Sequence, residues 1–566
     1  MKKPDKNILP LNGPWLFIRD TEDTAAYQDV LDKINGKENL PEMNIPVNWE
    51  LAGLNDFSGT VWFIRKFDLQ SDAPGLKTLV FNGVDYFTEI WINNVYAGRH
   101  EGYFQKFHFD VTENIKTKDN LLIVKVSSPK EEPGTVWPDR KKLIKGIFSH
   151  HDCRPGGWSH EYGQDKNTGG IWNGVFVEYG ADVFIENIRV NTKLNDSMSH
   201  ASAFINMSYY SLSSDPVSTK ISVSVTAPSG DTTEHEVMRE FLKYGEAAIS
   251  LEIQKPELWW TWDTGEQNLY TVKITSPLFN DKQASFGIRE VKLDDKKQFF
   301  LNGRRLFLRG TNVIPSQWLS DLTEEKITNQ LSLIKEANVN IIRMHAHVNR
   351  HEYYDECDRM GILVWQDFAL QWTYDESPEF TVNAVSQIKD MIRQRYNHPS
   401  IAFWCCHNEP GPQIDTLDNF LFDAAVSEDT NRIIRRASNY EEHPYDGWYW
   451  GKADHYEAAP MGPLVTEFGA QALPEKDSLA EIFQIDNLFP PDWEKWEYHN
   501  FQYEQTFMIA RVEIGNSIDE FISFSQEYQA YLIRTAADSY RRRKNHGITG
   551  IFQFMFIDCW PSVSWS

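Results

Sequence analysis

IAFWCCHNEP (residues 401–410) opens as a short apolar run rich in β-branched and aromatic side chains and ends in a glutamate where turn residues take over. GPLVTEFGAQALP (residues 462–474) has the same construction. Both runs read as buried strands, with Glu409 and Glu467 at their carboxyl ends. Two acids at two strand ends can face one substrate, as glycoside hydrolysis requires: one carboxylic acid protonates the leaving oxygen and one carboxylate attacks or stabilises the anomeric carbon.

Outward from these stretches, strand-like and helix-like segments alternate after Phe286. RLFLRGTN, NIIRMHAH, ILVWQDFAL, IAFWCCHNE, NRIIRRAS, PYDGWYWG, PLVTEF and GIFQFMFID supply eight strands, and KITNQLSLIKEANV and AVSQIKDMIRQRY carry helical periodicity. Eight units over about 270 residues (288–566) fit a (β/α)8 TIM barrel, whose active site lies at the carboxyl ends of the strands. On this count Glu409 ends strand four and Glu467 ends strand seven. An insertion over residues 486–544 precedes strand eight; its helix carries an aromatic stripe (Phe521, Phe524, Tyr528, Tyr531) spaced as one buried face.

Upstream, residues 1–180 show short alternating runs between Gly, Asn, Asp and Pro, the pattern of an antiparallel jelly-roll sandwich. IWINNVYAG reads as a hairpin with Asn93 and Asn94 at the turn. A long loop over residues 141–173 interrupts it and is expected to pack near the active-site mouth. Its cluster His150, His151, Asp152 and Cys153 lacks the ligand spacing of a zinc site. Residues 181–287 read as an immunoglobulin-like sandwich, with Trp259, Trp260 and Trp262 expected to plug a domain junction rather than bind sugar.

The formal charge of -25 argues against nucleic acid and against an anionic membrane surface as partners. Five scattered cysteines give no disulfide framework, and Cys405 and Cys406 are expected to pack as small hydrophobes. With no apolar stretch of signal-peptide type near the amino terminus, the expected location is cytoplasmic, or periplasmic or secreted if that terminus was trimmed.

The motifs IWINN, TGGIWNGV, FGIRE, LNGRRLFLRGTNVIP, YYDECDRMGILVWQDF, NHPSIAFWCCHNEP, LVTEFGAQALP and FMFIDCWPSVSWS, in this order across three domains, resemble glycoside hydrolase family 2, which includes β-galactosidases, β-glucuronidases and β-mannosidases. LWWTWDTGEQNLY, GTNVIP, WQDF and CWPSVSWS are most similar to the β-mannosidase branch. The resemblance implies that Glu409 is the acid/base and Glu467 the nucleophile of a retaining double displacement. The charge of Glu467 would keep Glu409 protonated until Glu467 is glycosylated. The resemblance further implies that Asn408 bonds the sugar 2-hydroxyl, that Arg343 holds Glu467 ionised, and that Tyr445, or else Tyr449, donates to the nucleophile. His345 and His347 are candidates for touching sugar hydroxyls. Trp365, Asp367 and Trp560 are candidates for lining the pocket, with Trp560 as stacking platform, while Trp404 is expected inside the barrel.

Two departures bear on the sugar. The β-mannosidase branch carries a Trp-Gly-Gly-Gly run after the strand-two arginine, where this chain has MHAHVNR. Glucuronidases carry an Asn-x-Lys after strand eight, and this sequence stops at Ser566 before such a segment. Family members continue further, so the chain reads as truncated or short, with an open side at strands one and eight that would serve as a homo-oligomer contact. The leading expectation is an exo-acting retaining β-glycosidase taking an oligosaccharide or glycoside, without cofactor or metal; β-mannoside stands ahead of β-galactoside and β-glucuronide. A catalytically inactive carbohydrate-binding protein on the same scaffold is one alternative. A metal-dependent hydrolase using His345, His347 and His407 is another.

Overall fold

A computed structural model describes residues 7–37, 39–69, 74–131, 140–145, 158–159, 163–164, 167–410, 415–458, 461–485 and 487–566. The cluster His150, His151, Asp152 and Cys153 lies outside them.

The amino-terminal sandwich packs a four-stranded sheet against a six-stranded one. Its core is built from the inward-facing alternate residues of both sheets, among them Trp15, Phe63, Phe81, Ile90 and Val124. In the six-stranded sheet Phe87–Ile92 pairs with Val95–Glu101, Ile92 opposite Val95. Asn93 and Asn94 form the turn at φ 49° and 71°, a conformation that asparagine tolerates and that matches the strands' twist. The next domain stacks a three-stranded sheet (Val183–Leu194, His200–Ser211, Tyr244–Gln254) on a four-stranded one. Trp259 and Trp262 fasten it to the barrel: their indole N–H groups donate to the carbonyls of Asp358 and Val339 at 2.9 Å each.

In the third domain seven strands form one parallel sheet. In chain order they are Leu308–Val313, Ile341–Met344, Leu363–Asp367, Ile401–Cys405, Ile433–Arg435, Leu464–Val465 and Gly550–Gln553. Strands one to five and the two late strands correspond to barrel positions one to five, seven and eight. Ile401–Cys405 is buried along its whole length, as expected of a strand covered on both faces. The helices outside start on ordinary caps: Thr323 before Glu324–Glu336, and Ser377 before Pro378–Arg395, each accepting a hydrogen bond from the first turn.

Three expectations are corrected. PYDGWYWG is not a sixth strand. The segment 438–446 is irregular, and it fills the gap by backbone bonds to both neighbours: Glu409 N–H donates to Ser438 O, and Thr466 N–H to Glu442 O. The side at strands one and eight is closed, because Leu308–Val313 pairs in parallel with Gly550–Gln553. Trp404 faces outward into the helix layer, its indole donating to Asp429 at 2.8 Å. Strand alternation sends Phe403 and Cys405 inward with Trp365 and Phe552 instead. Cys357, Cys405 and Cys406 are free and buried, and Cys559 is buried as well. Among the described residues no helix is long and apolar enough to cross a membrane.

Candidate active site

Arg343, at the carboxyl end of the second barrel strand, is the fixed point of the site. Its guanidinium is fully buried and donates to three side chains, Asp367 (Nε to Oδ2, 2.9 Å), Glu467 (Nη1 to Oε1, 2.9 Å) and Asn408 (Nη2 to Oδ1, 2.6 Å), and to the Thr466 carbonyl at 3.4 Å. Burial opposes its charge, but the carboxylates of Asp367 and Glu467 outweigh that and raise its pKa. Asp367 is locked in turn by the Trp365 indole at 2.9 Å and the Ala346 N–H at 3.1 Å.

Glu467 lies at the end of Leu464–Val465 with its side chain 5 % exposed. Besides Arg343 it accepts the Tyr445 hydroxyl on Oε2 at 2.8 Å, and His345 Nε2 lies 3.2 Å from Oε1. Burial works against its ionised form; His443, His345 and Arg343 overcome it and hold the carboxyl well below the usual range. Burial, then the Glu467 charge, pushes the Tyr445 hydroxyl well up, so it remains a donor.

Glu409 follows Ile401–Cys405 and sits at φ 47°. Oε2 accepts the Trp372 indole N–H at 3.0 Å, and Oε1 lies 2.6 Å from His443 Nδ1. An oxygen of Glu409 and one of Glu467 lie within 4.8 Å of each other, with a His443 nitrogen also within 4.8 Å of both. This trio could in principle ligate a metal ion, yet its atoms already bond Trp372, Arg343 and Tyr445.

The two glutamates open onto a cavity of about 230 Å³, lined also by Gln371, His345 and His443 and by seven aromatic side chains: Trp372, Tyr440, Tyr445, Tyr449, Trp450, Phe554 and Trp565. Among the described residues no lysine or arginine lines it. The insertion reaches this wall: Gln502 accepts the Trp448 indole N–H and donates to the Tyr449 hydroxyl. From the first sandwich Lys141 reaches the other side, donating to Gln371 O.

Of the residues read from sequence, Glu409, Glu467, Tyr445, Tyr449 and His345 line the cavity, with Arg343, Asn408 and Asp367 directly behind them. Three stand elsewhere. His347 is buried between the His345 carbonyl and the Asn349 amide, and burial lowers its pKa to about 4. Trp365 stacks on Phe403 at 4.5 Å inside the barrel, where side-chain layers fill the interior. Trp560 stacks on His499 of the insertion at 5.7 Å, while Trp565 contacts Tyr445 and the cavity. The reason is the chain end itself, which folds back on Asp558: its carboxylate accepts the Ser564 hydroxyl and the Trp565 N–H. His345, His347 and His407 do not converge on one point; His407 is spent on Asp418 and the Trp372 carbonyl, both at 2.7 Å.

The residues that sequence reasoning missed are His443, Trp372, Gln371, Tyr440, Trp450, Phe554 and Trp565. For His443 the signal was its place in the sequence, two residues before Tyr445.

Residues 31–152, 183–289 and 291–450 match the sugar-binding domain, the central domain and the TIM barrel domain of “Glycosyl hydrolases family 2”. The chain is 24 % identical to a β-mannosidase of Capra hircus over 89 % of its own length and 67 % of that protein's. It is 25 % identical to a β-galactosidase of Thermoanaerobacterium thermosulfurigenes over 70 % of its length and 53 % of the relative's. Among solved structures, a β-D-mannosidase from Dictyoglomus thermophilum superposes with a TM-score of 0.81 at 24 % identity, covering 99 % of this chain and 75 % of that one. With three successive family domains, in order, this chain belongs to glycoside hydrolase family 2.

Proposed function

We propose that the protein is an exo-acting retaining β-glycosidase that removes one terminal sugar, with β-mannosides as its substrates ahead of β-galactosides. The observation that carries this reading is the pair of carboxylates at one small cavity, their oxygens within 4.8 Å, one clamped in its charged form and the other held by two nitrogen groups. Retaining enzymes place their carboxyls roughly 5–5.5 Å apart, too close for a water between nucleophile and sugar.

In the first step Glu409 gives its proton to the glycosidic oxygen while a Glu467 oxygen bonds to the anomeric carbon, and the aglycone departs as an alcohol. In the second, Glu409 takes a proton from water, the water oxygen bonds to the anomeric carbon, and the ester electrons return to Glu467. Asn408, held by Arg343 behind the lining, is the residue that we assign to the sugar 2-hydroxyl. The cavity is smaller than the roughly 300–1,000 Å³ typical of drug-sized ligands, which suits a single sugar ring. A lining with two acids and, among the described residues, no lysine or arginine favours a neutral sugar over a uronic acid. The β-mannosidase relatives support mannose, since they match over most of this chain.

The test is a panel of aryl β-glycosides (mannoside, galactoside, glucuronide, glucoside, glucosaminide) with the wild type and Glu467→Gln. Turnover of the mannoside that falls by about 10⁴-fold or more in the variant is expected, from the loss of a covalent nucleophile. A glucuronide as the preferred substrate would overturn the neutral-sugar reading. Undiminished turnover in Glu467→Gln would overturn the mechanism.

A further inference from the structure

Among the described residues His443 is the one histidine that faces both catalytic carboxylates from opposite ends of its ring. Nδ1 lies 2.6 Å from Glu409 Oε1, and Nε2 lies 3.6 Å from Glu467 Oε1 and 3.0 Å from Ser438 Oγ. The ring is wholly buried. The hydroxyls beyond it fix the direction of the hydrogen bonds. Thr466 donates to the Glu442 carboxylate, which can only accept, so Thr466 accepts from Ser438 at 2.7 Å, and Ser438 in turn accepts from His443 Nε2. Nε2 therefore carries a hydrogen.

We propose that His443 is a positioning residue that stays an imidazolium throughout the double displacement and faces, at each stage, whichever of Glu467 and Glu409 is ionised. This rests on the reading given above. Before the first step the negative charge is on Glu467, and Glu409 is the acid with its labile proton on Oε2, because Oε1 already accepts from His443 Nδ1–H. When that proton passes to the glycosidic oxygen and Glu467 becomes an ester, the charge moves to Glu409, 2.6 Å from the same imidazolium. When water delivers its proton to Oε2 and the ester bond breaks, the charge returns to Glu467. The three groups sum to zero charge at both stages, so the buried site need not accommodate a new net charge midway.

The charged groups facing the ring are Glu467, Glu409 and, with opposing sign, Arg343; Glu442 acts through the two hydroxyls. Burial disfavours protonation of the imidazole, but the two carboxylates prevail and raise its pKa.

The kinetic consequence falls on the second step. In the glycosyl-enzyme the imidazolium favours the ionised Glu409 that must act as base. With a 2,4-dinitrophenyl glycoside of the sugar that the wild type accepts, the first step needs no acid and kcat reports the second. In His443→Asn and His443→Ala the acidic limb of kcat is expected to move up by about one to three pH units, as for loss of an opposite charge at this distance. kcat/KM for the same substrate reports the first step and should fall less than kcat does below the limb, while an unchanged circular dichroism spectrum and melting temperature show that the variants are folded. Asn, which keeps an N–H near Glu409, should retain more of the plateau kcat than Ala. An unshifted limb in both variants, or equal losses of kcat and kcat/KM, would overturn the assignment. A wild type that turns over no aryl glycoside would overturn both this inference and the reading beneath it; turnover with an unshifted limb overturns this one alone.

Discussion

Glu467 and Glu409 end two strands of one sheet, yet their surroundings differ in kind. Glu467 is 5 % exposed and gripped by Arg343, Tyr445 and His345; Glu409 is 14 % exposed and held by one indole and one imidazole. A guanidinium and a phenol are donors at every working pH, so the first setting stabilises a single charge state. An imidazolium N–H and an indole N–H can donate to Glu409 whether or not it carries its proton, so the second tolerates two. The difference teaches that the strand supplies position while the neighbouring loops decide whether a carboxylate is fixed or exchangeable.

The sharpest way to break this contrast is Arg343→Met. It leaves Asp367, Glu467 and Asn408 without their shared donor, and removing one partner of a buried ion pair costs about 3–5 kcal/mol. Denaturant unfolding should show a loss of that size near pH 7. The pH sign follows from the depressed pKa of Glu467. Its contribution to stability is present above the unfolded-state value of about 4.3 and disappears as pH falls through the lower folded value. The variant should therefore lose less stability on acidification between about pH 5 and pH 3 than the wild type does. Equal acid sensitivity would mean that Arg343 does not set the charge of Glu467.

Tyr445→Phe is the gentler probe of the same clamp. It deletes one hydrogen bond to a charged group, worth about 1.5–3 kcal/mol, and keeps the ring against Tyr449 and Trp565. A fall in kcat of roughly 10- to 150-fold with little change in melting temperature is expected. If kcat is unaffected, the phenol does not hold the nucleophile.

What could be read from the sequence divides along the same line. Both glutamates were legible because an apolar run that stops at a bare acid has a period and a boundary. Arg343 and Asp367 sit on such runs too. His443 and Tyr440 stand on 438–446, the irregular piece that replaces a strand, and its course is set by bonds to Ser438 and Glu442 from the strands on either side rather than by its own pattern. PYDGWYWG alternates aromatic and small residues well enough to pass for a strand, yet what it forms is a turn around Asp446 and Trp450. The domains were legible for the same reason as the barrel strands: alternation and spacing report elements whose faces are buried.

The chain end offers the smallest and most local test. CWPSVSWS contains two tryptophans and no periodicity that says which one reaches the sugar. Trp560 lies against His499, on the side of the insertion, whereas Trp565 lies 5.8 Å from Tyr445 and lines the cavity. Aromatic pairs contribute about 0.5–1.5 kcal/mol beyond their buried area, and we take the same scale for an aromatic ring against a sugar face. Trp565→Leu should therefore raise KM by roughly 2- to 15-fold, and Trp560→Leu should leave KM near its wild-type value while lowering the melting temperature of the barrel. The opposite split would place the stacking wall on Trp560 and require the last residues to turn the other way around Asp558, exchanging the bonds it now makes to Ser564 and Trp565.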